Sequence, residues 1–310
     1  MKKGYLAFFC IFAFTVKLYS AGGVGADFLR VDPSAKTSAM SGAYAGCASD
    51  INSIHYNPAG LINIKGTTVT LSHFANFSDT NYEHLGAAMK FGPGMAAASL
   101  LVNYTFDFPE YNEWGQVVGN VDAYDAVLGI SYAYPLTELI TAGATAKVFY
   151  STLAGYDKKG FAFDAGALIR LGSSPDTFGG VSIQNIGVQE AYIEVPDPLP
   201  MNIKVGLSTS FKAADFVGML LCIDVNRLIT KDELPTLDMG AEAVFYDVFS
   251  VRAGYGLRHD TGNLAVGVGI NMERVRFSYA FQPFDMLGDC HRISLELDII
   301  ETKEKSGTQK

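Results

Sequence analysis

From residue 67 to residue 300 apolar side chains recur at every second position, and the pattern renews itself about every seventeen residues. Alternation gives a strand two unlike faces. In 138–151 one face carries Ile140, Ala142, Ala144, Ala146, Val148 and Tyr150, and the other carries Thr141, Gly143, Thr145 and Lys147. Near the end of the chain, Ile293, Leu295, Leu297 and Ile299 oppose Arg292, Ser294, Glu296 and Asp298, so the second face becomes charged. These segments run about ten to twelve residues. A sandwich strand usually has about five or six, whereas crossing a bilayer takes about nine to eleven. In lipid no sheet edge can stay open, so the pattern predicts an all-β fold: a transmembrane antiparallel β-barrel of about 14 strands, apolar face to lipid and polar face to the lumen.

The connections support this reading. Every second one is short, at 92–94, 135–137, 172–177, 212–215, 247 and 273–274. The intervening ones are longer, notably 107–121, 152–160, 187–199 and 228–235. Outer-membrane barrels have short periplasmic turns and longer outer loops, which places both chain ends in the periplasm. Phe91, Tyr134, Phe178, Phe211, Phe216, Phe245, Tyr246 and Phe249 gather beside the short turns, where an aromatic girdle is expected.

Composition narrows the classes further. The chain is 49% hydrophobic and 18% charged, yet it has no run of eighteen apolar residues beyond the N-terminus, which excludes helical spans there. Lys2 and Lys3, the apolar run 5–16 and the small residues Ser20, Ala21 and Gly22 read as a cleaved signal peptide over 1–20. Removing Lys2, Lys3 and Lys17 from 23 basic residues leaves 20 against 32 acidic ones, a net charge near −12, which argues against a nucleic-acid partner. Cys47, Cys222 and Cys290 are spaced too widely for a disulfide framework and are expected as free buried thiols, with room for one bridge at most.

Residues 21–66 do not alternate and so stand outside the wall. They contain DFLRVDPSAKTSAMSGAYAG (27–46), Asp50 as an N-cap, and YNPAG (56–60) just before the first strand. This arrangement resembles the long-chain fatty-acid transporters of outer membranes, the FadL type, and is similar to the shorter PorV/PorQ-like and spirochaete barrels. The resemblance implies that 21–66 is a hatch folded inside the barrel 67–300, with a polar periplasmic tail at 301–310. It makes Asn57, Pro58, Ala59 and Gly60 the hatch motif. It also implies a hydrophobic ligand such as a fatty acid, and a kink in strand three as a lateral exit.

The charged residues of the strands are expected on the lumen face, because a charge facing lipid costs about 2–4 kcal/mol at the midplane. Arg170, Lys204 and Arg252 are the cations available to a carboxylate head group. The other patterns are weak. Asp260-Thr261-Gly262 reads as a turn, the five histidines lack metal-ligand spacing, and no nucleophile motif occurs. Neither an enzyme nor a cofactor is indicated. Two readings stay open: passive uptake of a hydrophobic molecule, or a plugged barrel whose segments 107–121 and 187–199 engage protein partners.

Overall fold

The computed structural model describes residues 24–75, 80–192, 195–229, 233–259, 262–284, 286 and 288–300. The expected signal peptide 1–20 and the expected tail 301–310 lie outside the described residues, as does part of the expected turn at 260–262. Fourteen strands form the wall: β1 (Thr67–Ala75), β2 (Asn81–Phe91), β3 (Gly94–Tyr111), β4 (Val117–Pro135), β5 (Ile140–Leu153), β6 (Tyr156–Ser173), β7 (Asp176–Gln189), β8 (Asn202–Ala214), β9 (Val217–Leu228), β10 (Thr236–Phe245), β11 (Phe249–Leu257), β12 (Leu264–Met272), β13 (Val275–Pro283) and β14 (Asp289–Ile300). Each pairs antiparallel with its sequence neighbours, and β14 returns to β1 to close the barrel. Among the described residues no strand edge is left unpaired, which is the condition for spanning lipid.

Burial follows the alternation. In β11, Phe249, Val251, Ala253, Tyr255 and Leu257 point outward, and Ser250, Arg252, Gly254 and Gly256 point inward. Phe91, Tyr134, Phe211, Phe216, Tyr246 and Phe249 are exposed at the short-turn end, where the girdle is expected.

Three details depart from expectation. First, the stretch 107–121 is not an open loop. Pairing continues from Phe108 opposite Val121 to Tyr111 opposite Val117, so only a tip at 112–116 is unpaired. Likewise β5 and β6 pair out to Leu153 opposite Tyr156, across a turn in which Ala154 and Gly155 both have positive φ. A ribbon standing clear of the wall has no reason to alternate, yet its backbone ladder continues, so the side-chain pattern ends before the strand does.

Second, the outward face is not free of ionisable groups. His73 and Glu83, cross-strand neighbours on β1 and β2, meet outside the wall at 2.8 Å, each about half exposed. They lie near the loop-side ends of their strands, where the penalty for charge in lipid falls towards zero.

Third, β3 pairs without a break from Met95 to Thr105, and its register shifts, at Thr105/Phe108 and Glu110/Tyr111, come only beyond that point. The irregularity in the middle of the wall is between β6 and β7 instead, where the register shifts at Phe163/Ala165 and Asn185 has φ 59°. Asp164 holds this bulge by accepting the Asn185 N–H at 2.8 Å.

Candidate site between the N-terminal segment and the wall

Residues 24–66 form two short helices, α1 (Ala35–Ser38) and α2 (Ser53–Tyr56), and two 3-10 turns, Asp27–Arg30 and Pro58–Asn63. They pack against inward-facing glycines on many strands. A methyl group at Gly180 of β7 would collide with the Ala45 carbonyl oxygen, one at Gly143 of β5 with the Ala59 nitrogen, and one at Gly254 of β11 with the backbone of Met40. Glycine on the lumen face therefore lets two backbones touch where any side chain would hold them apart.

Polar groups fasten the contact. Asn57 is fully buried; its Nδ2 donates to the Ala45 carbonyl at 2.9 Å and to the Ala167 carbonyl of β6 at 3.0 Å. Its extended backbone suits a residue before proline, and its Oδ1 accepts the Ala59 N–H at 3.3 Å, capping the 3-10 turn that Pro58 begins. Gly60 is required by closeness, because a Cβ there would stand 2.5 Å from Ala48. The Asp224 carboxylate of β9 accepts the Tyr44 and Ala45 N–H groups at 2.8 and 2.6 Å. Ser208 donates to Gly46 O at 3.0 Å, Ser182 to Tyr56 O at 2.7 Å and Gln184 to His55 O at 2.6 Å. YNPAG is thus a clasp between the segment and the wall.

Asp50 has a different role from the cap expected of it. The N-cap of α2 is Asn52, and Asp50 accepts the Asn52 N–H at 3.0 Å one turn earlier. The other oxygen meets Lys36 Nζ at 2.7 Å and the Tyr44 hydroxyl at 2.7 Å, stapling the two halves of the segment together. Burial alone would raise the Asp50 pKa, but the Lys36 ammonium and the hydrogen bonds outweigh it and hold the carboxyl below its usual range.

His55 Nε2 lies 2.9 Å from Nε2 of His84 on β2. Burial first, then the His84 and Lys147 charges, depress the His55 pKa well below the ordinary histidine value, so the folded segment holds it neutral. An unfolded chain takes up that proton near pH 6.5. The stabilisation is complete above that pH and is lost at about 1.4 kcal/mol per unit as pH falls below it. Amides of 53–63 should therefore lose hydrogen-exchange protection between about pH 7 and about pH 5, relative to the strands, and His55→Gln should flatten the dependence. Protection that holds steady across that window would contradict this account.

The lumen itself has two parts. On the β1–β6 side Phe28 is edge-on to Phe149 with ring centroids 5.6 Å apart, inside an apolar cluster that includes Phe74, Tyr82, Leu101 and Val127. On β5 the cluster interrupts a polar face, and that break was the signal available in the sequence: Phe149 follows Thr145 and Lys147. Towards the long-loop end there is a cavity of about 500 Å³, bordered by Arg30, Asp32, Tyr56, Lys204, Asp238 and His259.

The three candidate head-group cations are not brought together. Lys204 borders the cavity, with its ammonium 4.7 Å from the centre of the Tyr56 ring. Arg252 is buried against Glu242 at 2.7 Å and Ser278 at 3.0 Å. Arg170 lies near the short-turn end and pairs with Asp176 at 2.8 Å, both well exposed. Among the three, only Lys204 faces the open space.

No protein-family model matches the sequence, and no curated protein matches it. Solved structures do match in shape. The toluene transporter TbuX of Ralstonia pickettii superposes with a TM-score of 0.58 at 12% identity, over 85% of this chain and 96% of that one. The CymD monoaromatic hydrocarbon channel gives 0.58 at 13% identity, over 86% and 96%. A FadL homologue from Pseudomonas aeruginosa gives 0.56 at 9% identity, over 86% and 98%. The fold is that of the FadL-type barrels. At these identities the likeness concerns the path of the chain, and the residues lining the lumen stand on their own chemistry.

Proposed function

We propose that this chain is an outer-membrane channel for passive passage of small hydrophobic molecules, with residues 24–66 serving as its hatch. The observation that carries the reading is the cluster of large apolar side chains that face the lumen, Phe74, Leu101 and Phe149, covered by Phe28 of the N-terminal segment. A water-filled pore has no use for such a patch, whereas a hydrophobic ligand that takes the place of Phe28 gains roughly 25 cal/mol for each Å² of apolar surface it buries there. The shared fold supports this reading, since TbuX and CymD are described as a toluene transporter and a monoaromatic hydrocarbon channel.

The finer choice is between a neutral hydrocarbon and a fatty acid. Lys204 at the cavity favours the fatty acid, because a charge-assisted hydrogen bond to a carboxylate needs an ammonium that is not already locked in a buried ion pair. In proteoliposomes, oleate uptake should fall about tenfold in Lys204→Met while toluene uptake is unchanged. Equal loss for both ligands would remove the carboxylate role, and uptake no faster than in empty liposomes would sink the channel reading.

The exposed aromatics Phe106, Phe108, Tyr111 and Trp114 on the β3–β4 ribbon support a second reading, in which this ribbon contacts a protein partner. Cross-links to protein confined to that ribbon, in a barrel that moves no ligand, would favour it.

A further inference from the structure

Cys47 belongs to the N-terminal segment and Cys222 to β9, and both are buried in one cluster with Met40, Ala43, Tyr44 and Tyr56. Both thiols are free, and the Cys47 Sγ donates to the Ala43 carbonyl at 3.2 Å. The backbones that carry them are held in place on each side. Gly46, the residue before Cys47, packs so closely on β8 that a Cβ there would stand 2.8 Å from the Leu207 nitrogen. The Gly46 carbonyl accepts from Ser208, and Ser208 is the cross-strand partner of Cys222. Asp224, two residues on from Cys222 and on the same face, grips the Tyr44 and Ala45 N–H groups. Two thiols in one buried cluster, on backbones pinned to each other, suit a disulfide, whose Cβ atoms must come within about 4 Å. Cys290 is the internal contrast, because it is buried in the other cluster with no second cysteine.

We propose that Cys47 and Cys222 are a disulfide site that ties the N-terminal segment to the barrel wall. The oxidant would be a disulfide-bearing thiol oxidoreductase or a small disulfide of an oxidising compartment. The Cys47 thiolate attacks one sulfur of that disulfide, forming a mixed disulfide and releasing one reagent thiolate. The Cys222 thiolate then attacks the Cys47 sulfur, closing the bridge and releasing the second. The two cysteines lose two protons and two electrons, and the reagent's disulfide takes up the electrons. Burial pushes the Cys47 thiol far above its ordinary range, so a docked segment reacts slowly and the exchange belongs to the undocked or loosened state. If the segment is the moving hatch of the proposed channel, the bridge holds that hatch shut.

The protein without residues 1–20, and so without Cys10, tests this directly in detergent. It is equilibrated with oxidised or with reduced glutathione, its remaining thiols are blocked with N-ethylmaleimide, and it is digested with trypsin without reduction. Cleavage at Lys36, Lys65, Lys212, Arg227, Arg276 and Arg292 puts the three cysteines on fragments 37–65, 213–227 and 277–292. The oxidised sample should yield 37–65 joined to 213–227, with 277–292 carrying a blocked thiol. Three blocked thiols, or a bridge that includes 277–292, would overturn the site. Oleate uptake into proteoliposomes should then be at least about tenfold slower for the oxidised than for the reduced protein, and Cys222→Ser should remove that difference. A mapped bridge with equal uptake in both states overturns the tether. A reduced protein that takes up no oleate while the bridge still maps counts against the channel reading and leaves the disulfide site standing.

Discussion

Asn57→Ala is expected to release the N-terminal segment while leaving the barrel folded. The side-chain amide donates to two carbonyls, Ala45 in the segment and Ala167 in the wall, and its oxygen caps the turn at Ala59. Alanine removes all three bonds from a site with no exposure, at about 1 kcal/mol for each. Taking about 3 kcal/mol for the whole, the opening equilibrium moves by roughly a hundredfold. Hydrogen exchange should show amides of 44–63 exchanging about that much faster, with the strand amides unchanged. Asn57→Asp keeps the capping oxygen but loses both donors, so it should behave like alanine. Protection equal to wild type in both variants would mean that the clasp lies elsewhere, with Asp224 the next residue to replace.

Lys147→Met is expected to weaken the wall itself. Lys147 Nζ is 2.6 Å from Asp164, whose side chain has no exposure, and it also donates to Asn185 Oδ1 at 2.9 Å. Asp164 in turn accepts the Asn185 N–H at the bulge between β6 and β7. Removing the ammonium leaves a buried carboxylate without its counter-charge, a loss of about 3–5 kcal/mol. The midpoint of denaturant unfolding should fall accordingly, and exchange should speed up first at residues 163–165 and 183–186. Adding Asp164→Asn should restore part of the loss, because it removes the unpaired charge while keeping an oxygen to accept the Asn185 N–H. A single variant that unfolds like wild type would show that the bulge is held by its backbone alone.

The barrel was legible because its determinants are local in sequence. Alternation over 67–300 states which residues face lipid, strand length states that lipid is crossed, and closure follows because no edge can stay open there. Legibility ended where the environment stopped being two-sided. Above the wall the β3–β4 and β5–β6 ribbons keep their ladders but lose the pattern, so they read as loops at 107–121 and 152–160. His73 and Glu83 face outward because charge is tolerated near the interface, a condition of depth that spacing along a strand does not encode.

The site was less legible than the wall. The sequence by itself determined the motif Asn57-Pro58-Ala59-Gly60, since an Asn-Pro turn with a close glycine is chemistry within one short stretch. It also placed Arg170, Lys204 and Arg252 on the polar face. Only the tertiary structure decided that Asn57 grips Ala167, 110 residues away, that Arg252 is committed to Glu242, and that Cys47 and Cys222 share one buried cluster. The physical reason is closure. Bending the sheet into a ring brings strands far apart in sequence around one short segment, and which inward side chains meet depends on the register and on where the wall carries glycine instead of a Cβ.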